Sequence, residues 1–231
     1  METKLTQGSV DWFVAHATEK AYPSREALME KLEHGKIRAY LGVDPSGPTL
    51  HLGHAIALKK LGELQRLGHE VILLIGDFTA MIGDPTDKSA ARKQLTREQV
   101  LTNASRYKEQ VSRFLRFDGE NPAKMMWNSA WLDRFTFLEL IDLAAHFTVQ
   151  QMLERDMFEK RMIDSKPIYL HEFLYPLMQG YDSVAMDVDL EIGGNDQTFN
   201  MLAGRDLMRE MKGKEKYVLA MRLLADPTGK K

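Results

Sequence analysis

The sequence predicts an α/β fold built on a parallel sheet, and three observations carry that prediction. The apolar runs at residues 37–43 and 71–75 are short and unbroken, as strands buried on both faces are. Between them Ala55, Leu58, Leu61, Leu64 and Leu67 recur at helical spacing, and Gly68 stands where a helix stops. Strand, helix and strand in so short a span make a βαβ unit, which closes with a right-handed crossover.

The remaining elements follow in order. Val10, Trp12, Phe13 and Val14, then Ala27, Leu28, Met29 and Leu32, predict two short helices, the second capped by Ser24, so that residues 1–36 read as a helical N-terminal segment. Asp44-Pro45-Ser46-Gly47-Pro48 is a loop by composition. Residues 76–93 form a long loop rich in Gly, Asp, Thr, Pro and Lys, and long loops inside compact domains are usually functional or mobile. Thr96 with Gln99, and Thr136 with Glu139, have the spacing of capping boxes and open two helices, the first running towards Phe114. Residues 124–127 predict a short strand between them. A charged, Met-bearing helix is expected over 148–163, a break at Ser165-Lys166-Pro167, and another helix over 168–179. Residues 188–192 alternate apolar and acidic as a strand does, Gly193-Gly194-Asn195-Asp196-Gln197 turns the chain into a helix ending near Met211, and 217–224 is a last strand.

Composition bounds the function classes. The 231 residues suffice for one α/β domain, and 44% hydrophobic with 28% charged residues is ordinary for a globular protein. A net charge of -2 argues against a broadly basic nucleic-acid surface while leaving room for a local basic patch. Cysteine is absent, which excludes disulfides and thiolate metal sites. No apolar run is long enough to span a bilayer, and residues 1–20 lack the apolar core of a signal peptide, so a cytoplasmic protein without membrane partners is expected.

Four segments carry candidate chemistry. His51-Leu52-Gly53-His54 opens a helix directly after a strand and loop. A helix start offers unpaired N–H groups to phosphates, and two imidazoles three residues apart share a face of the first turn. Two surface histidines beside a cap, or a zinc pair, are the alternatives. The loop Gly76-Asp77-Phe78-Thr79-Ala80-Met81-Ile82-Gly83-Asp84-Pro85 also follows a strand, at the sheet end where ligands collect. There Asp84 suits an ammonium group, and Lys88 and Arg92 suit a polyphosphate; a solvated turn-rich loop is the alternative. Tyr175, Gln179 and Asp182 share one face at spacings of four and three, forming either a polar pocket or the edge of an amphipathic helix. Finally, the Gly193-Gly194 turn permits close approach of a ligand, with Asp196 suited to ribose hydroxyls and Gln197 to a carbonyl oxygen.

Taken together and in this order, the four segments resemble the class I aminoacyl-tRNA synthetases, whose first signature is His-x-Gly-His, and within them the bacterial-type tyrosyl-tRNA synthetases. The residues that carry the resemblance run from about Ile37 to Lys231: Tyr40-x-Gly-x-Asp44-Pro45, Gly83-Asp84-Pro85, Gln179-x-x-Asp182 and Gly193-Gly194-x-Asp196-Gln197. The resemblance implies a Rossmann-like, doubly wound parallel sheet over residues 37–231, with an inserted helical connective segment at about 124–166 that forms a homodimer interface; Met152, Phe158 and Ile168 are candidate contacts. It implies activation of L-tyrosine by ATP to tyrosyl-adenylate and pyrophosphate, then transfer of tyrosine to tRNA(Tyr). Tyr40 and Asp182 would grip the phenol hydroxyl, Asp84, Tyr175 and Gln179 the amino group, and Gln197 the carboxylate, with Thr79 in the same wall. Ser46, His51 and His54 would act on the ATP phosphates, Gly42, Gly53, Gly194 and Asp196 would bind adenosine, and Lys88 and Arg92 would stabilise pyrophosphate. Asp44 is assigned to ligand binding on the floor of the site.

On this reading no general base is required, because the tyrosine carboxylate is already the nucleophile and the protein orients two anions. Magnesium would accompany ATP without a dedicated protein site. Tryptophanyl-tRNA synthetase is the alternative enzyme, disfavoured by Tyr40 with Gln179 and Asp182; a non-catalytic RNA-binding relative of the same fold is the alternative outside catalysis. Four positions depart from the family pattern: Leu41 replaces a polar residue, Thr198-Phe199 replaces Trp-Gly, and Asp77 replaces glycine. Lys231 would match the first lysine of the second signature loop. The rest of that loop and an anticodon-binding region would be absent, so tyrosine and ATP binding with slow activation is expected.

Overall fold

The computed structural model describes residues 8–84 and 94–224. Its centre is a six-stranded sheet in the order β1-β6-β5-β2-β3-β4. The strands are β1 (Thr18–Tyr22), β2 (Arg38–Val43), β3 (Glu70–Ile75), β4 (Lys124–Trp127), β5 (Leu190–Gly194) and β6 (Tyr217–Met221). All neighbours run parallel except β1 on β6. The order reverses between β2 and β5: β3 and β4 continue on one side of β2, β6 on the other side of β5. A doubly wound sheet opens a crevice at the carboxyl ends of such a pair.

Period-two alternation sorts side chains between two layers. Ala39, Leu41 and Val43 of β2 and Val71, Leu73 and Ile75 of β3 share a core with Leu58, Leu61 and Leu64 of α3 (Leu52–Arg66), together with α1 (Val10–Ala15) and α2 (Arg25–Glu33). Tyr40, Ile72 and Leu74 face the other way, against Met186 and Val188. On that side α11 (Leu170–Met186) crosses α12 (Thr198–Lys212), and Gly180 makes the close approach possible: a Cβ there would lie 2.8 Å from the Leu207 side chain.

Smaller helices fill the connections. These are α4 (Thr79–Ile82), α5 (Arg97–Ala104), α6 (Tyr107–Val111), α7 (Ser129–Leu132), α8 (Phe137–Ala144), α9 (Val149–Leu153) and α10 (Asp156–Ile163). Capping boxes at Thr96, Thr136 and Thr148 start α5, α8 and α9.

Several expectations need correction. The N-terminal segment is not helical throughout, because Thr18–Tyr22 joins the sheet. A register irregularity between Thr18 and Lys20 breaks the alternation that would have revealed it. The helix expected from Thr96 to Phe114 divides into α5 and α6. There Asn103 donates to Pro45 O at 2.9 Å and Tyr107 donates to Gly47 O at 2.7 Å, bracing the loop that carries Asp44 and Ser46. The helix expected over 148–163 also divides, at Glu154 and Arg155. The helix expected to stop at Gln179 runs on to Met186, since Gly180 serves the helix crossing and does not end the helix; Asp187, at φ 49°, caps it. The long loop after β3 contains α4, and the last strand ends at Met221. The segment 124–166 begins with β4, which pairs with β3 as the edge of the sheet.

Candidate active site

A cavity of about 310 Å³ opens at the switch point, between the ends of β2 and β5. Its walls include Tyr40, Gly42, Asp44, Ser46, His51, Gly53, His54, Thr79, Asp84, Tyr175, Gln179, Asp182, Gly194, Asp196 and Gln197. Every candidate site residue among the described residues is therefore gathered around one space. Lys88, Arg92 and Lys231 lie outside the described residues.

On one side the start of α3 faces the cavity. His51 is its N-cap, and Gly53 N donates to His51 Nδ1 at 3.2 Å, while His51 N donates to His54 Nδ1 at 3.2 Å. The two rings lie 3.9 Å apart. A Cβ at Gly53 would press on the exposed His51 ring at 3.0 Å, so that ring would have to shift by a few tenths of an ångström. The expected bare helix terminus is thus corrected: two of its backbone N–H groups are already capped by imidazole. Because each Nδ1 accepts, each neutral ring carries its proton on Nε2, which leaves that atom as a donor. Burial, and secondarily the neighbouring His51, lower the His54 pKa to about 4, so this ring is neutral at pH 7.

The opposite side is a buried polar floor. Tyr40, 0% exposed, shares a hydrogen bond with Ser183 Oγ at 2.9 Å, and burial raises its phenol pKa well above 10.0. Asp182, 2% exposed, accepts from Trp131 Nε1 at 2.8 Å and from Asn128 Nδ2 at 3.2 Å. Burial raises its pKa well above 3.8, against the lowering effect of those two donors. Asp44 ties three elements together: its Oδ1 accepts from Thr79 Oγ1 and its Oδ2 from Tyr175 Oη, both at 2.8 Å. The chain must pass close behind this pair, and Gly76 permits it, since a Cβ there would fall 2.0 Å from Asp44 Oδ1.

A second network runs behind the floor. Lys216 Nζ donates to Glu191 Oε2, Gln179 Nε2 to Glu191 Oε1 at 3.0 Å, and Asn200 Nδ2 to the carbonyl oxygens of both Gln179 and Gln197 at 3.0 Å. Gln197 Nε2 donates to Asp84 Oδ2 at 2.6 Å, and Arg155 Nη2 approaches Asp84 Oδ1 at 3.5 Å.

Sequence reasoning missed Glu191, Lys216, Asn128, Trp131, Asn200 and Arg155. Apolar and acidic residues alternate along β5, which puts Glu191 on the opposite face from Leu190 and Ile192, yet both faces are buried. Lys216 immediately precedes an apolar strand, but Lys212, Lys214 and Glu215 beside it make the stretch read as a surface charge run. Two departures gain physical roles: Asp77 Oδ1 accepts from Ser129 N at 3.0 Å, holding the start of α7, and the Phe199 ring lies 5.2 Å from the Arg155 guanidinium. Leu41 lines the cavity as an apolar wall.

The family model of the class I tRNA synthetases (W and Y) matches residues 32–231. The chain belongs to this family. Among curated synthetases, the tyrosine–tRNA ligase of Carboxydothermus hydrogenoformans is 50% identical over 207 residues, covering 88% of this chain and 49% of that protein. That of Geobacter metallireducens is 52% identical over 202 residues, covering 85% and 49%. The chain spans about half the length of the curated relatives it matches. Solved synthetases share the fold. A C-terminally truncated mitochondrial tyrosyl-tRNA synthetase from Coccidioides posadasii superposes with a TM-score of 0.81 at 25% identity, covering 98% of this chain and 70% of that one. The tyrosyl-tRNA synthetase of Archaeoglobus fulgidus, complexed with L-tyrosine, gives 0.74 at 26%, covering 96% and 67%. The doubly wound, Rossmann-like class I fold expected from the sequence is the fold observed.

Proposed function

We propose that this chain carries the tyrosine-activating site of a tyrosine–tRNA ligase, making tyrosyl-adenylate from L-tyrosine and ATP for transfer to tRNA(Tyr). The observation that carries this reading is the buried pair Tyr40 and Asp182 at the base of the cavity, with Asp182 held by Trp131 and Asn128. A phenol hydroxyl reaching this floor can use the hydrogen-bonding capacity that Tyr40 and Asp182 retain beside their internal partners, whereas a phenylalanine ring would desolvate it unused, a rule for which this choice of amino acid is the standard illustration. A tryptophan indole has no hydroxyl for the pair.

The reaction follows from placement. A tyrosine carboxylate oxygen attacks the α-phosphorus of ATP, a new P–O bond forms, and the bond to the bridging oxygen breaks to release pyrophosphate. Asp84, Tyr175 and Gln179 are assigned to the α-ammonium group, Gln197 to the carboxylate, and Thr79 to the wall beside them. His51 and His54 offer Nε2–H donors to phosphate oxygens from the other side, with Ser46 beside them, and stabilise charge as it develops. Gly42, Gly53, Gly194, Asp196 and Asp44 line the space left for adenosine and ribose. Lys88, Arg92 and Lys231 are assigned to the polyphosphate. Magnesium belongs to this reading as the nucleotide's companion on phosphate oxygens. Among the described residues no three His, Asp or Glu side chains converge as a metal cluster, so no residue is assigned to it.

The reading includes a homodimer and a cytoplasmic setting, and no described helix is long and apolar enough to cross a membrane. Met152 and Phe158 are withdrawn as dimer contacts: they are 4% and 0% exposed inside their own chain. Phe137, Val149, Ile163 and Leu170, each at least 66% exposed in the segment following β4, are better contacts for a second copy. Sedimentation should find a dimer that Phe137→Asp with Leu170→Asp converts to monomer; a wild-type monomer at high concentration overturns this part. The activity is tested by amino-acid-dependent exchange of pyrophosphate into ATP. Exchange with tyrosine and not with tryptophan or phenylalanine is expected; exchange with tryptophan alone, or with none, overturns the reading.

A further inference from the structure

Ser46 and His51 stand on a largely exposed loop, residues 44–51, between the end of β2 and the start of α3. The loop's own backbone does little to fix it. Ser46 N donates to Asp44 O at 2.7 Å, and Pro45 and Pro48 have no N–H to give. Segments held only by such local bonds open most easily. A group that must meet developing charge nevertheless has to be held within a fraction of an ångström of its productive place.

The restraint comes from side chains 58 to 62 positions further along the chain. Asn103, Tyr107 and Gln110, at spacings of four and three, turn one face towards the loop across the joint between α5 and α6. Asn103 Nδ2 donates to Pro45 O at 2.9 Å and Tyr107 Oη to Gly47 O at 2.7 Å, one on each side of Ser46. Gln110 serves as an extra peptide group: Nε2 donates to Pro48 O at 3.0 Å, and Oε1 accepts from Leu50 N at 2.8 Å, directly before His51. Those partners fix the sense of the Gln110 amide, since Leu50 N only donates and Pro48 O only accepts. The footing is firm, because Ala104, Tyr107 and Val111 are buried in the core shared by β2, β3 and α3. Burial, and secondarily the Asp44 carboxylate, push the Tyr107 phenol up to about 12, so it remains a donor at pH 7.

We propose that Gln110, with Tyr107 and Asn103, is a positioning residue for adenylate formation: the three side chains clamp the loop so that Ser46 and His51 meet the ATP phosphates in register. None of the three lines the cavity, so they act through the loop backbone and leave the amino-acid floor untouched. The inference rests on the tyrosine-activation reading and adds residues that do not touch the reacting atoms.

The test measures tyrosine-dependent pyrophosphate exchange and calorimetric tyrosine binding for wild type, Gln110→Leu and Tyr107→Phe, each well below its unfolding temperature. Gln110→Leu removes two of the clamp's bonds, so kcat should fall about 30-fold while the KM and Kd for tyrosine stay within about twofold of wild type. Tyr107→Phe keeps the buried ring and removes one donor, so kcat should fall about fivefold. Hydrogen exchange at the Leu50 amide should be faster in Gln110→Leu than in wild type. An amide freed in this way with kcat unchanged would make the clamp merely structural and overturn the proposal, as would an amide exchanging no faster than in wild type. A matching loss of tyrosine affinity would mean that the whole pocket is disturbed, and would overturn it too. Should Gln110→Leu fail to fold, an unchanged kcat in Tyr107→Phe overturns the proposal by itself. Wild-type protein that neither binds tyrosine nor catalyses exchange would overturn the activation reading, and the proposal with it.

Discussion

The two sides of the cavity are built in opposite ways. At the start of α3 the polar contacts join residues two or three positions apart, and His51 and Gly53 are exposed. On the floor, Tyr40, Asp182 and Glu191 are buried, and their bonds join residues 12 to 143 positions apart. A helix start imposes its geometry on a few neighbours, so its side chains can change with little effect on the fold. The floor exists only when β2, β5, α11 and α12 are assembled. Substitutions there should therefore strike stability and binding, and those at the turn should strike function almost alone.

Lys216→Met should have the largest effect on stability. It leaves Glu191 charged and buried with no cation, a change that typically costs about 3–5 kcal/mol. Thermal unfolding should fall by roughly 10 °C for a chain of this size. Adding Glu191→Gln should recover most of the loss, because a neutral pair has no ion to desolvate. A single variant as stable as wild type would mean that Glu191 is not held as an ion in the folded protein.

Asp182→Asn separates the two effects within the floor. Burial already disfavours the charge of Asp182, so losing it should change stability by only about 1 kcal/mol in either direction. Tyrosine binding should fall by up to about 100-fold, the scale of losing the one hydrogen bond that a phenol hydroxyl donates to a charged group. If tyrosine affinity stays within a few-fold of wild type, Asp182 does not read the hydroxyl.

The same contrast explains what could be read before the fold was known. The βαβ unit at β2, α3 and β3 follows from apolar runs and helical spacing alone, and so does the place of His51 and His54 at a helix start. Gln179 and Asp182 are legible from helical spacing as one face of either a polar pocket or an amphipathic helix, whereas Tyr40 enters only through the resemblance to a known motif, because nothing local marks it as facing Asp182. Glu191 and Lys216 stayed hidden for a physical reason. A buried ion pair between β5 and the residue just before β6 leaves no periodic trace, and each partner alone resembles a surface charge. Strand β1 was lost in a similar way, since the irregularity at Thr18 and Lys20 erased its alternation.

Acid should weaken the protein through His54. Its folded pKa of about 4 lies below its ordinary 6.5, so below pH 6.5 the unfolded chain takes up a proton that the folded chain refuses. This contribution is intact above pH 6.5, shrinks as the pH falls, and is fully lost near pH 4. The ring is partly open to water, which limits the effect to about 1 kcal/mol. Urea midpoints at pH 7 and pH 4.5 should therefore differ less for His54→Gln than for wild type. Equal differences would mean that the ring titrates normally.

The smallest effect on stability should come from His51→Ser, and its sign should be reversed. Serine is a stronger N-cap than histidine, so the helix start should hold or gain about 0.5 kcal/mol. Adenylate formation should nevertheless slow by about 100-fold, the scale of losing one donor to a developing oxyanion. The loss should appear in kcat with little change in the KM for tyrosine, because His51 sits on the side of the cavity away from the amino-acid floor. A loss carried mainly by the tyrosine KM would show that the two sides are coupled, and that the turn belongs to the same structural unit as the floor.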